Sequence, residues 1–347
     1  MTADAAPSIR EALAALVEGM SLSAGAMTAV VGQIMDGAAT PAQVGALLAA
    51  LRMKGETVDE VVGAAQAMRQ RMLRVDTDMP VLLDTCGTGG DGSGSVNVST
   101  LAAFILAACG VKVAKHGNRA LSSRSGSHDV LEALGIDPAP GPESARRCLD
   151  QLGLCFMFAP AYHAATKHAA GPRREVGFRT LFNLLGPLTN PAGTRYHVNG
   201  VFARERCEFL AQAHGQMGSL RAMVVHGVGG LDEFAPAGAT FVAELRDGKV
   251  RCYDVSPADF GLAEASLDEL KGGEPAKNAH MLLESLRGKN GAGRVAALMT
   301  AAAGLVVTGG ASDLRAGAVL AAAALDSGKA LAVLECLREL SPAPGKS

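Results

Sequence analysis

The chain has 347 residues with 32 Lys and Arg against 34 Asp and Glu, a net charge of −2; at ~150 residues per domain it has room for two structural units, which excludes a peptide or a single small module. Hydrophobic residues make up 48% and charged residues 19%, enough apolar surface for a sizeable core and too much for extended disorder. The near balance of charge, with 4% aromatics and no Trp, gives neither a field for nucleic acid or anionic membrane nor a platform for stacking bases.

The first 75 or so residues read as consecutive helices. Ser8 to Glu11 and Thr57 to Glu60 fit the S/T-x-x-E box, in which two side chains satisfy orphan backbone donors reciprocally. Thr40, Pro41 and Gln43 mark a third start, with proline where its missing N–H costs nothing. Gly19, Gly37 and Gly55 are the expected stops. Val44, Leu47, Leu48 and Leu51 share one helical face. A small all-helical domain is therefore expected over residues 1–75.

From Val81 short apolar runs alternate with helical stretches, the signature of an α/β unit. Strands are expected at Val81 to Asp84, Val111 to Ala114, Cys155 to Phe158, Tyr196 to Val201 and Met223 to His226, with a hairpin over Phe241 to Val255 turning at Asp247 and Gly248. The last 55 or so residues are Ala-rich and helical. Residues 76–347 thus form a larger α/β domain with a central, mostly parallel sheet flanked by helices. The stretch from Ala159 to Thr194 is too long for an ordinary connection and is expected to cross to the helical lobe, completing it with helices from about 173–195.

The seven cysteines, Cys86, Cys109, Cys148, Cys155, Cys207, Cys252 and Cys336, are odd in number and contain no C-x-x-C pair, so neither a disulfide framework nor a zinc site is expected. The N-terminus lacks a signal pattern and no apolar run reaches the ~20 residues of a membrane helix. A cytoplasmic protein is the expectation.

Three glycine-containing segments carry the chemistry. Asp84 to Thr100 reads DTCGTGGDGSGSVNVST between a strand and the helical run Leu101 to Ala108. Backbone without side chains approaches a ligand closely there, and N–H groups at a helix start favour phosphate. It matches neither G-x-x-x-x-G-K-[ST] nor G-x-G-x-x-G, and Asp91 would repel phosphate, so it suits sugar hydroxyls or an amide. Lys115 to Ser123, KHGNRALSS, offers a cation and several donors able to wrap a diphosphate, followed by a helix over Ser127 to Leu134. His226 to Glu233, HGVGGLDE, ends in two acids whose hard oxygens suit Mg²⁺. Arg173 and Arg174 lie side by side before Phe182 to Pro191, and a guanidinium can fork onto a carboxylate.

Taken in order over nearly the whole chain, Gly87 to Asp91, Asn97 to Thr100, Lys115 to Arg119, Phe182 to Pro191 and His226 to Glu233 closely resemble the anthranilate phosphoribosyltransferases of tryptophan biosynthesis. That resemblance implies a pentosyltransferase that moves the 5-phosphoribosyl group from phosphoribosyl diphosphate to the amine of anthranilate, with Mg²⁺ as cofactor and a homodimer through the helical lobe. It implies that Gly87, Gly90, Asp91, Ser95, Asn97, Val98, Ser99 and Thr100 form one wall for phosphoribosyl diphosphate. Lys115, His116, Gly117, Asn118, Arg119, Ala120, Leu121, Ser122, Ser123 and Ser127 form the other. Ser99, Asp232 and Glu233 match metal ligands, and Gly87, Asn118 and Arg173 match anthranilate contacts. No general base is assigned; His116 and His163 are candidates. The chain departs from the family pattern at His128, usually a small residue, and at Tyr162 to Lys167. A related pyrimidine nucleoside phosphorylase and a non-enzymatic nucleic-acid-binding relative are the alternatives, disfavoured by the intact acidic motif and by the charge balance.

Overall fold

Side-chain caps set the starts of the first helices. In the computed structural model, which describes residues 7–119 and 125–343, these are α1 (Ile9–Val17), α2 (Ala24–Met35), α3 (Pro41–Lys54) and α4 (Val58–Arg69). Ser8, Thr40 and Thr57 form the reciprocal capping boxes expected of them, and Ser23 caps α2. Gly19, Gly37 and Gly55 follow helix ends with φ of 75°, 74° and 86°. Val44, Leu47, Leu48 and Leu51 are all buried. α2 and α4 cross so closely that a Cβ on Gly63 would stand 2.2 Å from the Ala24 carbonyl oxygen.

The remaining elements are β1 (Leu83–Asp84), α5 (Val98–Ala108), β2 (Val113–Gly117), α6 (Ser127–Ala133), α7 (Pro142–Leu152), β3 (Leu154–Phe158), α8 (Ala159–Tyr162), α9 (Lys167–Val176), α10 (Phe182–Leu185), β4 (Tyr196–Gly200), α11 (Glu205–Gln216), β5 (Arg221–Gly227), β6 (Thr240–Arg246), β7 (Lys249–Val255), α12 (Pro275–Leu286), α13 (Ala292–Thr308), α14 (Leu314–Asp326) and α15 (Lys329–Leu340). The sheet runs β3-β2-β1-β4-β5-β6-β7. The first five strands are parallel and the last two antiparallel. The hairpin turns at Asp247 and Gly248, with φ of 52° and 73°, as a two-residue turn of this twist requires.

β5 is longer than expected at both ends, β3 and β4 differ by one residue, and two strands differ in ways that bear on the cleft. β1 is only two residues long, because its ladder consists of Leu83 and Asp84 between Val113, Tyr196 and His197. β2 starts later and runs further, so Lys115, His116 and Gly117 belong to a strand, paired with Phe156, Met157 and Phe158, and not to a loop.

Strand order explains where a ligand can sit. Connections from β1 lead outward to β2 and β3, whereas β4 leads the other way to β5, so right-handed crossovers place α5 and α11 on opposite faces. The alternation of β5 follows: Met223 and Val225 join the larger core, with α5, α13 and α15, while Val224 joins the second, with α11 and the helical lobe. A crevice opens where the connections diverge, beyond the carboxyl ends of β1 and β4. The second core also takes in Ala169 and Leu181 to Leu188, and α9 packs against α3 and α2. Arg206 of α11 ties back to Glu56 at 2.9 Å. Among the described residues no single helix is long and apolar enough to cross a membrane.

Gly63→Ala should overpack the α2/α4 crossing at a cost of about 1–3 kcal/mol. Thermal unfolding should show the melting temperature lowered by several degrees; melting together with the parent would mean that this contact is looser than the geometry states.

Candidate active site

β1 ends at Asp84, whose fully buried carboxylate accepts N–H bonds from Cys86 at 3.0 Å, His116 at 3.1 Å and the Asn190 amide at 2.6 Å. The same Asn190 nitrogen donates to the Ala114 carbonyl at 2.8 Å. One side chain therefore joins the exits of β1 and β2 to the loop before β4. Burial pushes the Asp84 carboxyl up to about 6, and the Lys115 charge opposes that rise.

The glycine segment leaves this point and doubles back, with φ of 63°, 76°, 76° and 63° at Gly89, Gly90, Gly92 and Gly94. It is pinned at both ends: the Thr88 N–H donates to Gly200 O at 2.8 Å, and Val96 N–H to Leu270 O at 2.8 Å. The Arg179 guanidinium donates to the Gly90 carbonyl and lies over the Phe202 ring. Gly200 admits no alternative, since a Cβ there would fall 1.4 Å from Asp232 O. The segment feeds α5, whose first turn presents Ser99, while Asn97 Oδ1 accepts from Asn278 at 3.1 Å.

On β2 the buried Lys115 ammonium donates to Thr85 O at 3.0 Å and Ser99 Oγ at 3.2 Å. His116 Nδ1 lies 3.1 Å from Gly186 O, and its Nε2 is buried with no partner among the described residues. A carbonyl only accepts, so Nδ1 carries the hydrogen. Burial holds this imidazole down to about 4 and the neighbouring His163, whose ring centre is 5.1 Å away, down to about 3. Both are neutral at pH 7. Gly117 makes room for Ser127, whose Oγ would sit 2.4 Å from a Cβ.

Facing Lys115 are the acids. Glu233 accepts the Ser99 N–H at 3.0 Å, and the Asp232 N–H donates to Asp91 at 3.3 Å. Burial pushes Glu233 up to about 7, and burial with the charges of Asp91 and Glu233 raises Asp232 well above the carboxylate range. Such crowding of hard oxygens calls for a cation. Among the described residues no group of three His, Cys, Asp or Glu side chains is placed to hold a metal ion by itself.

These residues line one cleft of about 270 Å³. It brings together Gly87, Gly90, Asp91, Ser95, Asn97, Ser99, Lys115, His116, Gly117, Asn118, Arg119, Ser127, Arg173, Asp232 and Glu233. Val98 and Thr100 are completely buried and do not line it, because one face of α5 must pack on the core. Ala120, Leu121, Ser122 and Ser123 lie outside the described residues. From the helical lobe comes Arg173, which rests on the Phe182 ring at 4.8 Å and has no ion-pair partner among the described residues; Arg174 is exposed and off the cleft.

Sequence reasoning missed Met68, Cys86, Asn183 and Thr189 as lining residues. Asn183 and Thr189 lie within the quoted Phe182 to Pro191 motif, so position in the motif was the available signal; Met68, on an apolar helix face, offered none. His128 stacks on Phe158 at 4.1 Å and Tyr162 donates to Pro140 O at 2.7 Å. Neither His128 nor Tyr162 lines the cleft, whereas His163 and Thr166, both within the second departure, do.

Comparison with known proteins agrees in both halves of the chain. A helical-bundle domain model of a glycosyl transferase family matches residues 10–72, and the α/β domain model of such a family matches residues 79–331. Anthranilate phosphoribosyltransferase of Methylocella silvestris is 51% identical over 95% of this chain and 94% of its own. The solved Thermus thermophilus anthranilate phosphoribosyltransferase superposes with a TM-score of 0.90 at 41% identity, covering 95% of this chain and 98% of that one. The Saccharomyces cerevisiae enzyme in complex with PRPP and Mg gives 0.85 at 28% identity, covering 96% and 97%.

Asp84→Asn keeps one oxygen for the Cys86 and His116 N–H groups but turns an amide nitrogen toward the Asn190 amide, which then lacks its acceptor, costing about 1–3 kcal/mol. A melting temperature lower by a few degrees is expected, and an unchanged melt would remove Asp84 from its place at the strand exits.

Proposed function

The chain belongs to the anthranilate phosphoribosyltransferases, and on that premise we propose how its cleft divides the work of the reaction. The enzyme transfers the 5-phosphoribosyl group of phosphoribosyl diphosphate to the amine of anthranilate, giving N-(5-phosphoribosyl)anthranilate and diphosphate, a step of tryptophan biosynthesis. The C1–oxygen bond to diphosphate breaks with its electron pair, the amine nitrogen bonds to C1, and one amine proton is released. An aromatic amine is already a neutral nucleophile at pH 7, so stabilising the leaving group matters more than a strong base.

The observation that carries the assignment of roles is the meeting of Lys115, Ser99, Asp232 and Glu233 at the mouth of the glycine loop. The backbone N–H groups of the glycine segment that are not already donated to Gly200 O, Leu270 O, Asp91 or Ser93, with the positive end of α5, face the phosphate oxygens, and Lys115 meets the charge that gathers on the diphosphate. Asn118, Arg119 and Ser127 close the opposite wall. Ser99, Asp232 and Glu233 would hold Mg²⁺, the metal present with PRPP in the yeast homologue, since three acids, Asp91 among them, crowd there with Lys115 as the nearby positive charge. Bound there, the ion neutralises diphosphate charge.

Arg173, buried enough to lower its own pKa and free of any carboxylate among the described residues, pairs with the carboxylate of anthranilate, with Gly87 and Asn118 beside it. Its place on the lobe lets lobe and sheet bring amine and C1 together. His116 and His163, neutral and at the cleft, are the candidates to receive the amine proton. A homodimer through the lobe fits Val17, Met20 and Met53, which expose 75%, 55% and 88% of their surface there. We place the enzyme in the cytoplasm, where its free cysteines stay reduced.

Arg173→Ala should raise the KM for anthranilate about 10- to 100-fold and leave phosphoribosyl diphosphate binding by calorimetry nearly intact; equal loss of both would reject its role. Asp232→Asn combined with Glu233→Gln should raise the Mg²⁺ concentration for half-maximal activity at least about tenfold. A titration superimposable on the parent's would take these acids out of the metal site.

A further inference from the structure

Behind the cleft, on the α11 side of the sheet, lies a polar chain that the reaction described above does not use. Asn199 on β4 and His214 on α11 are completely buried. Asn199 Nδ2 donates to the Cys86 carbonyl at 2.6 Å, Asn199 Oδ1 is 2.7 Å from His214 Nε2, and His214 Nδ1 is 3.1 Å from Ser219 Oγ.

One end of this chain determines the rest. The Cys86 carbonyl can only accept, so the Asn199 amide must turn its nitrogen there and its oxygen toward His214. Nε2 must then carry the imidazole hydrogen, Nδ1 must accept, and the Ser219 hydroxyl must donate. Every bond has one allowed direction, and all members are uncharged.

The carbonyl so held belongs to the Cys86–Gly87 peptide. In a planar trans peptide the N–H points opposite to the C=O, so gripping Cys86 O from behind aims the Gly87 N–H away from Asn199. That N–H has no protein partner among the described residues, and Gly87 lines the cleft. The next residue is held from the same strand, Thr88 N–H on Gly200 O. Since β1 ends at Asp84, its ladder does not extend to this peptide.

We infer that Ser219, His214 and Asn199 form a neutral positioning relay that presents the Gly87 N–H to the substrate as a fixed donor. His214 acts by fixing which way the Asn199 amide faces. Without its Nε2–H the amide can rotate, and the peptide carrying the donor is released. The role of Gly87 in this inference rests on the proposed function; the direction of the relay does not.

Two measurements test it. With ¹⁵N-labelled histidine, the His214 signals, identified by their loss in His214→Phe, should report the Nε2–H form, constant from pH 6 to 9; an Nδ1–H form overturns the relay whatever the enzyme does. In steady-state assays at saturating phosphoribosyl diphosphate, His214→Phe should lower kcat/KM for anthranilate about 10- to 100-fold. Ser219→Ala, which removes the hydroxyl donor to Nδ1 but keeps the ring and its Nε2–H on Asn199, should lower it about threefold, in line with one neutral hydrogen bond. A folded His214→Phe with parental kcat/KM overturns the inference. If that variant does not fold, Ser219→Ala decides by activity: a loss of about threefold in kcat/KM supports the relay, and parental kcat/KM sinks it. Parent enzyme that fails to consume anthranilate with phosphoribosyl diphosphate and Mg²⁺ would instead count against the proposed function, leaving the tautomer result standing.

Discussion

The cleft is organised around a carboxylate that never reaches it. Asp84 sits at the exit of a two-residue strand, where the sheet's own hydrogen bonds run out, and supplies the missing acceptor for two backbone N–H groups and one side-chain amide. Its charge is costly to bury, and only the donors and the nearby ammonium of Lys115 offset that cost. The beginnings of both ligand walls, after β1 and along β2, are thereby registered against each other by one group.

From that anchor the electrostatics follow. Lys115 is held inward between Thr85 O and Ser99 Oγ, while Asp91, Asp232 and Glu233 crowd the other side of the α5 N-terminus. On the proposed assignment, a polyanionic diphosphate donor entering between them would meet the helix start and the ammonium directly, and the acids through a shared cation. The arrangement would repel a phosphate without that cation, so metal and donor are expected to bind interdependently.

Much of this was legible beforehand, for reasons tied to particular residues. Ser8, Thr40 and Thr57 could be read as helix starts because capping is a local matter of three or four residues. Asp247-Gly248 could be read as a hairpin for the same reason. Lys115 and His116 were placed one element too late, since their polarity masks a strand that only the partner β3 makes possible. Val98 and Thr100 were grouped with ligand-facing neighbours, but helical geometry turns them into the core. Residue type and spacing do not distinguish Arg173 from Arg174; the family resemblance picked out Arg173, and the packing of α9 places it in the cleft and leaves Arg174 exposed. The Ser219, His214 and Asn199 chain had no signature at all, its members meeting through the pairing of β4 with β5 and the return of α11.

The helical lobe draws its interior from both sides of the first half of the sheet: α4 ends at Arg69 and α9 begins at Lys167, yet both contribute to one apolar cluster. On the ribosome, the intervening ~100 residues take roughly 5–20 s to emerge at usual elongation speeds. During that interval the early bundle is born incomplete, its groove for α9 bare, so nascent chains offer chaperones a greasy target that mature molecules have sealed.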